Sequence, residues 1–168
     1  MHDPALSTAQ HRELIEALAL SHVLPHDTLP VEECLGRRLS VDVFSLIPLP
    51  PFTNSAMDGF AVRREDLEGE GPWTLPVAGD IPAGDTRENR LEKGQAWRIM
   101  TGAPIPQGAD TVVKVENTDH AAGIAQAPNT VEIRVAPKLG ENVRVAGEAL
   151  EAGSPVLEAG RILDGTAL

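Results

Sequence analysis

The stretch RIMTGAPIPQGAD, residues 98–110, does most to decide the fold of this 168-residue chain. Trp97 and Ile99 alternate with the polar Arg98, which is typical of a half-buried strand. A Thr-Gly pair then ends the strand, two prolines stiffen the connection, and a second strand-like run begins at Thr111. The segment therefore predicts two short β-strands joined by a rigid turn.

A second turn-rich segment, PLPPFTNSAMDGFA, lies upstream at residues 48–61. Three prolines stiffen its approach, and the Asn-Ser and Asp-Gly pairs favour turns before a strand at Phe60–Val62. A loop held in this way suits the presentation of Asn54, Ser55 and Asp58 to a ligand. The alternative is an ordinary hairpin connection, because Asp-Gly before a strand is a common turn signal.

The turn inside the first stretch has the same two interpretations. The Thr101 hydroxyl and the Gly102 amide are candidate hydrogen-bond donors to an anion. The alternative is a rigid connection whose glycines only relieve backbone strain. Taken without any comparison, the residues of both segments favour the structural interpretation.

Helical spacing is confined to the N-terminal part of the chain. Residues Ser7–Leu20 predict a helix, because Ser7 and Gln10 have the spacing of a capping box and apolar residues follow at helical intervals. A second, short helix is predicted over Glu32–Leu39, although Gly36 lies inside it.

Beyond this point the apolar pattern alternates, which predicts short strands separated by turns. Further strands are predicted at Val41–Ser45, at Thr111–Glu116, and around Val131, Ile133 and Val135. The tail, Pro155–Leu163, contains two apolar runs that resemble a hairpin or strand pair. We therefore expect residues ~46–146 to form a mostly β lobe of short strands.

Composition excludes several classes of protein. A net charge of −11 disfavours binding to nucleic acid or to an anionic membrane surface, both of which need a basic face. No run approaches the ~20 apolar residues of a spanning helix, and the N-terminus shows no signal-peptide core. Cys34 is the single cysteine, which rules out an intrachain disulfide and fits a reducing compartment. We expect a cytoplasmic protein.

Together the two segments resemble the signatures of the MoeA family, which includes the corresponding domain of gephyrin. Residues 52–61 fit the family pattern Phe-x-Asn-Ser-x-Met-Asp-Gly-aromatic-Ala. Residues 98–110 fit Arg-Ile-Met-Thr-Gly-Ala-Pro-x-Pro-x-Gly-Ala-Asp throughout. The second pattern continues in its expected places at Val112, Val113 and Glu116. The resemblance covers nearly the whole chain.

This resemblance implies an α+β, mostly β fold. An elongated, discontinuous first domain with small helices would comprise residues 1–45 and 147–168, and an inserted β-barrel-like second domain would comprise residues 46–146. MoeA proteins are homodimers that join through the first domain. They continue into a third, α/β domain with most of the molybdopterin site and a fourth β domain. Since Gly165–Leu168 has no terminating signal, we expect the chain to be the N-terminal part of such a protein.

The resemblance also implies an activity, that of a molybdopterin molybdenumtransferase. Such an enzyme inserts molybdate into adenylylated molybdopterin and releases AMP in a reaction that depends on Mg²⁺. Asp58 matches an active-site carboxylate that we assign to Mg²⁺ or to water positioning. Thr101 matches an active-site hydroxyl, and Arg144 matches a basic residue suited to an anion. The predicted substrate-binding set is completed by Asn54, Ser55 and Gly102.

The chain departs from the family pattern near residue 149. The family usually reads Arg-x-x-Gly-Glu-Asp where residues 144–149 stand, so Ala149 occupies the position of a functional acid. Loss of one acid–base group or ligand commonly costs ~10²–10⁴-fold in rate. This leaves a second possibility, a non-catalytic MoeA-like scaffold or binding paralogue. A stand-alone β-rich binding module is a third. Because the family's site combines domains of two subunits, we expect this chain alone to be inactive.

Overall fold

The computed structural model describes residues 6–22, 25–121, 123 and 126–168, and strands predominate over helix there. The elements are α1 (Thr8–Ser21), β1 (Val43–Phe44), β2 (Asn54–Ser55), β3 (Gly59–Val62), β4 (Trp73–Ile81), β5 (Ala96–Ile99), β6 (Thr111–Lys114), β7 (Thr130–Ile133), β8 (Val143–Arg144) and β9 (Pro155–Leu157). Short 3₁₀ turns lie at Val31–Glu33, Arg64–Leu67 and Val115–Asn117. The mostly β fold expected from the sequence is confirmed. Within the described part of the chain, no helix has the length and apolar character needed to cross a lipid bilayer.

Contacts divide the chain into two compact units. Unit 1 comprises residues 1–43 and 157–168, and unit 2 comprises residues 44–156. The family resemblance led us to expect residues 147–156 in the first domain, whereas their contacts group them with unit 2.

That grouping follows from backbone hydrogen bonds between the two ends of unit 2. Leu49 N donates to the Leu150 carbonyl at 2.7 Å, and Leu150 N donates back to the Leu49 carbonyl at 3.2 Å. Ser45 N donates to the Ser154 carbonyl at 2.9 Å, and Gly153 N donates to the Ser45 carbonyl at 2.7 Å. The segment that closes unit 2 therefore pairs with the segment that opens it.

Unit 2 is built on a curled five-stranded sheet in the order β6-β3-β5-β4-β7. Strands β4 and β5 are parallel, and the other neighbours are antiparallel. Successive residues of a strand point to opposite faces, so the sheet has a core on each side. Phe60 and Val62 of β3 pack in one cluster, and Ala61 packs in the other with Val112 of β6.

In unit 1 the first predicted helix is confirmed within one residue at each end. Ser7 is the N-cap, since its hydroxyl accepts from Gln10 N at 3.3 Å and its own N–H donates to Gln10 Oε1 at 2.9 Å. These reciprocal bonds form the predicted capping box. No residue of α1 is buried.

The second predicted helix, Glu32–Leu39, is wrong. Only a 3₁₀ turn forms, and Gly36 then takes a left-handed conformation with a φ of 76°, which ends any helix. Backbone groups of the segment bond to the C-terminal tail instead, as Gly36 N donates to the Leu163 carbonyl and Leu39 N to the Arg161 carbonyl, both at 2.8 Å. The helix propensity of the segment is outweighed by this pairing with residues distant in sequence.

Several predicted strands are shorter or pair differently. Strand β6 ends at Lys114 and β7 at Ile133, because a 3₁₀ turn and a bend follow them. The two runs of the tail do not form a hairpin with each other. Strand β9 pairs with β1, and Ile162 forms a bridge with Arg38.

Candidate active site

The sheet register brings the two signature segments together. Strands β3 and β5 are antiparallel, with Gly59 opposite Ile99. Asp58 directly precedes β3, and Thr101 lies two residues beyond the end of β5. Both therefore emerge at the same end of the sheet, although 43 residues separate them in sequence.

Asp58 and Thr101 are joined by two short hydrogen bonds. Asp58 Oδ1 accepts from the Thr101 backbone N–H and from its hydroxyl, each at 2.7 Å. These two bonds, and chiefly the one from the backbone N–H, hold the pKa of the Asp58 carboxyl below its ordinary value. Partial burial raises the pKa, and the charge of Arg98 lowers it. The carboxylate is therefore ionised at neutral pH.

The outer side of this pair presents oxygen atoms. Both residues are exposed. Asp58 Oδ2 accepts no hydrogen bond from any described residue, and the Thr101 hydroxyl oxygen keeps its acceptor lone pairs after donating its proton. The free groups can thus accept hydrogen bonds or bind a cation.

The turn that carries Thr101 has its own amides occupied. Gly102 N donates to the Ser55 carbonyl at 2.8 Å, and Ala103 N donates to the Met100 carbonyl at 3.0 Å. The Thr101 hydroxyl and the Gly102 amide were candidate donors to an anion. In this structure both donate within the protein, as in the alternative interpretation of this segment as a rigid connection.

Asn54 and Ser55 are buried, and their side chains bond to the loop itself. The Ser55 hydroxyl donates to the Met57 carbonyl at 2.6 Å and accepts from Met57 N at 3.2 Å. Asn54 Nδ2 donates to the Phe52 carbonyl at 3.0 Å. Both side chains therefore shape the loop that presents Asp58.

Arg144 lies on β8, next to the Asp58-bearing segment. Strands β2 and β8 are antiparallel, with Asn54 opposite Arg144 and Ser55 opposite Val143. The Arg144 side chain is exposed, and it forms no hydrogen bond or ion pair with the described residues. Its guanidinium is thus available to an anion.

The segment after Arg144 carries the departure from the family pattern. Ala149 is exposed, and its N–H donates to the Leu49 carbonyl at 3.0 Å. Glu148 Oε2 accepts from Val145 N at 3.0 Å, which closes a local turn. Glu148 is therefore held in that turn through one of its two carboxylate oxygens.

Arg98 lies near the site, and no role was predicted for it from the sequence. It is 8% exposed and forms an ion pair with Asp80 across the parallel strands, at 2.9 Å. Together with Asp58 and Phe60 it lines a small cavity. The sequence shows only that a charged residue, Arg98, stands between two apolar residues of a strand. This pattern does not reveal that Arg98 is buried, because its burial depends on the neighbouring strands.

Metal ligands are sparse in the parts of the chain that the structure describes. No group of three or more histidine, cysteine, aspartate or glutamate side chains there could hold an ion. A divalent cation at Asp58 would take one carboxylate from this chain and further oxygen ligands from elsewhere. Mg²⁺ is commonly bound in this way, through one or two carboxylates plus phosphates and water.

The profile of a known family, described as the MoeA N-terminal region (domain I and II), matches residues 6–168. Molybdopterin molybdenumtransferase 2 of Mycobacterium tuberculosis is 45% identical over 139 residues, which cover 81% of this chain and 33% of that protein. Molybdopterin molybdenumtransferase of Synechococcus elongatus is 36% identical over 167 residues, covering 97% and 40%. This chain thus spans about a third of the length of such relatives.

A solved structure shares the fold. The crystal structure of the molybdopterin biosynthesis MoeA protein from Pyrococcus horikoshii superposes with a TM-score of 0.78 at 30% sequence identity. The match covers 93% of this chain and 39% of that one. The similarity of fold therefore extends over both units of this chain.

Proposed function

Because this chain belongs to the MoeA family, we propose that its parent protein inserts molybdate into adenylylated molybdopterin and releases AMP, a step of molybdenum cofactor biosynthesis. Relatives named molybdopterin molybdenumtransferase support this reaction class. They are about three times as long as the matched region, so the activity belongs to the longer protein.

The observation that carries the proposal is the Asp58–Thr101 pair. Two hydrogen bonds of 2.7 Å fix one carboxylate oxygen, and the other oxygen accepts no hydrogen bond from the described residues. These bonds lower the pKa of Asp58, so the carboxylate keeps its charge to a lower pH than an ordinary aspartate does. An ionised carboxylate in a fixed orientation suits a reaction in which a pyrophosphate linkage is cleaved, since it can orient a water molecule or a cation.

The oxygen-rich outer side of this pair fits Mg²⁺. Asp58 Oδ2 would be a direct ligand, and the Thr101 hydroxyl oxygen lies beside it as an acceptor for a coordinated water. Mg²⁺ bound there would neutralise charge on the phosphate oxygens as the linkage breaks. Thr101 itself positions Asp58 through its amide and hydroxyl.

Arg144 is the proposed contact for an anionic part of the substrate. Its guanidinium is exposed on a strand paired with the Asp58-bearing segment, and it has five donors in a planar arrangement that suits phosphate or molybdate oxygens. Asn54, Ser55 and Gly102, which the sequence also suggested as substrate ligands, would act through the shape of the loop.

We further propose that residues 1–45 and 147–168 form the family's domain I, that residues 46–146 form domain II, and that the protein dimerises through domain I. Apolar side chains exposed on α1 support this, since Leu14, Ile15 and Leu18 are more than half exposed. Because the substrate site would also need the later domains of a partner subunit, the isolated chain should show no turnover.

A second candidate function is a binding paralogue that does not catalyse the reaction. The observation that favours it is Ala149, where the family usually has an acid, together with the use of the Glu148 carboxylate inside a turn. Such a protein would keep the Asp58–Thr101 geometry and bind molybdopterin without releasing AMP.

The test compares molybdate-stimulated, Mg²⁺-dependent AMP release by the full-length protein and by its Asp58→Asn variant. Asparagine keeps one oxygen that can accept both Thr101 bonds, while it removes the charge and replaces the proposed ligand oxygen Oδ2 with an NH2 group, so folding should be preserved. We expect the rate to fall by about 10²-fold or more.

Asp164→Asn is the matched control. Asp164 Oδ1 accepts from Thr166 N at 3.0 Å and from its hydroxyl at 2.7 Å, which is the same kind of pair in unit 1. We expect this variant to retain the wild-type rate. Absence of AMP release from folded wild-type protein would refute the enzyme and leave the binding paralogue, which equilibrium binding of molybdopterin would then detect.

A further inference from the structure

Asn142 has an unusual backbone conformation. Among the residues that the structure describes, it is the one non-glycine residue with a positive φ, at 61°. The left-handed region is crowded for any residue with a Cβ, and asparagine tolerates it better than most. This conformation occurs directly before β8, the strand that carries Arg144.

The side chain of Asn142 bonds to the backbone of β6, at the edge of the sheet. Its Nδ2 donates to the Val112 carbonyl at 2.8 Å, and Val112 N donates to the carbonyl of the preceding residue, Glu141, at 3.0 Å. Val112 is fully buried in β6, where it pairs with Ala61 of β3. Two hydrogen bonds thus hold residues 141–142 against the middle of β6, a buried strand at the edge of the sheet.

The backbone of Asn142 in turn holds the Asp58-bearing loop. Its carbonyl accepts from Ala56 N at 2.9 Å, two residues before Asp58. The next residue, Val143, pairs with Ser55, so the chain continues along β2 to place Arg144. The segments bearing the two candidate charged groups therefore meet at Asn142.

We propose that Asn142 is a positioning residue that fixes the Asp58 loop and the Arg144 strand against β6 in one geometry. Its left-handed backbone turns the chain from β6 toward β2, and its Nδ2–Val112 bond keeps that turn in register. The inference deepens the proposed function, since the geometry serves the reaction only if Asp58 and Arg144 do.

Three substitutions separate the two contributions. Asn142→Ala removes the side-chain donor and places a residue with a Cβ in the left-handed region without compensation. Asn142→Gly removes the donor but accepts the backbone conformation freely. Asn142→Asp has nearly the same shape and tolerates the conformation, yet it presents a carboxylate oxygen to the Val112 carbonyl.

The control is Asp66→Ala. Asp66 Oδ2 accepts from Gly94 N at 2.8 Å, so this variant also removes a side-chain-to-backbone bond between distant segments of unit 2. Asp66 belongs to none of the proposed site. It therefore reports what general loosening of the unit does to each measurement.

The first measurement is amide hydrogen exchange and chemical shift in the 168-residue chain, which needs no catalytic activity. We expect the Ala56 and Arg144 amides to shift and the Ala56 amide to exchange at least about tenfold faster in Asn142→Ala, with Asn142→Gly intermediate and Asp66→Ala unchanged. Unchanged Ala56 exchange in Asn142→Ala would overturn the proposal.

The second measurement is AMP release by the full-length variants. We expect kcat to fall about 10- to 100-fold in Asn142→Ala, since small misplacement of reacting groups has effects of this size, with partial recovery in Asn142→Gly. A fall no greater than that of Asp66→Ala would overturn the positioning role. If wild-type protein releases no AMP, the proposed function fails, while the exchange measurement still decides the role of Asn142.

Discussion

Replacing Gly59 with alanine should force β3 away from β6. A Cβ on Gly59 would lie 2.0 Å from the Val113 carbonyl oxygen, 2.9 Å from the Val113 carbonyl carbon and 3.0 Å from Lys114 Cα. All three are backbone atoms of β6, so no side-chain rotation can relieve the contact. Gly59 is not among the glycines with positive φ, so the whole cost is steric.

The size of the effect follows from this geometry. Overpacking in a well-packed region costs about 1–3 kcal/mol. Separation of the strands would also weaken about two ladder hydrogen bonds at about 1 kcal/mol each. We therefore expect the free energy of unfolding of unit 2 to fall by about 3–5 kcal/mol, a large part of the 5–15 kcal/mol typical of a domain.

Tryptophan fluorescence during urea unfolding measures this quantity directly. The chain has two tryptophans, and both lie in unit 2: Trp73 on β4 and Trp97 on β5. The control is Gly84→Ala, because Gly84 has a φ of +81° and no atom within 4 Å of its Cβ position. That variant should lose only about 1 kcal/mol, through backbone strain. If Gly59→Ala costs no more than Gly84→Ala, the close approach of β3 and β6 is not the reason for a glycine at position 59.

Two further predictions concern single hydrogen bonds. Thr101→Val removes the side-chain bond to Asp58 but keeps the backbone one, so the Asp58 pKa should rise toward its ordinary value in a carbon-13 titration. A carboxyl whose pKa is lowered by folding stabilises the protein at pH values above its ordinary pKa, and this stabilisation is lost as the pH falls through the pKa of the folded state. Wild type should therefore lose more stability in acid than Thr101→Val. Equal losses in the two proteins would contradict the prediction. Ser7→Ala should destabilise α1 by about 1 kcal/mol, because no buried residue holds the helix in place. Amide exchange in the first turn would detect this, with Ser21→Ala as the control.

The parts of the fold that the sequence predicted are those set by local patterns. The capping box of α1 involves residues three apart, and the alternation around Trp97 extends over a single strand, so neither depends on the rest of the chain. The Glu32–Leu39 prediction failed because the backbone of Gly36 and Leu39 bonds to the tail more than 120 residues away. No local pattern contains that pairing.

The candidate site shows the same division. Two signature segments identified Asp58 and Thr101, and the antiparallel register of β3 and β5 then explains why residues so far apart in sequence are in contact. The sequence could not show that the Gly102 amide is already bonded to Ser55, since that depends on how the two turns meet. The role of Asn142 could not be predicted from the sequence for a similar reason, because its partners Val112 and Ala56 lie on separate segments.

The pairing of the two ends of unit 2 has a consequence for the order of folding. Ser45 bonds to Gly153 and Ser154, so folding of unit 2 brings its own two ends, where the two pieces of unit 1 are attached, close together in space. Without it, joining those pieces would close a flexible loop of roughly 110 residues, at an entropic cost of about 4 kcal/mol. Unit 2 can form from one continuous segment. Unit 1 avoids most of this entropic cost if it forms after unit 2. Recovery of tryptophan fluorescence should therefore precede protection of unit 1 amides during refolding, because unit 2 lowers the entropic cost of joining the two pieces of unit 1.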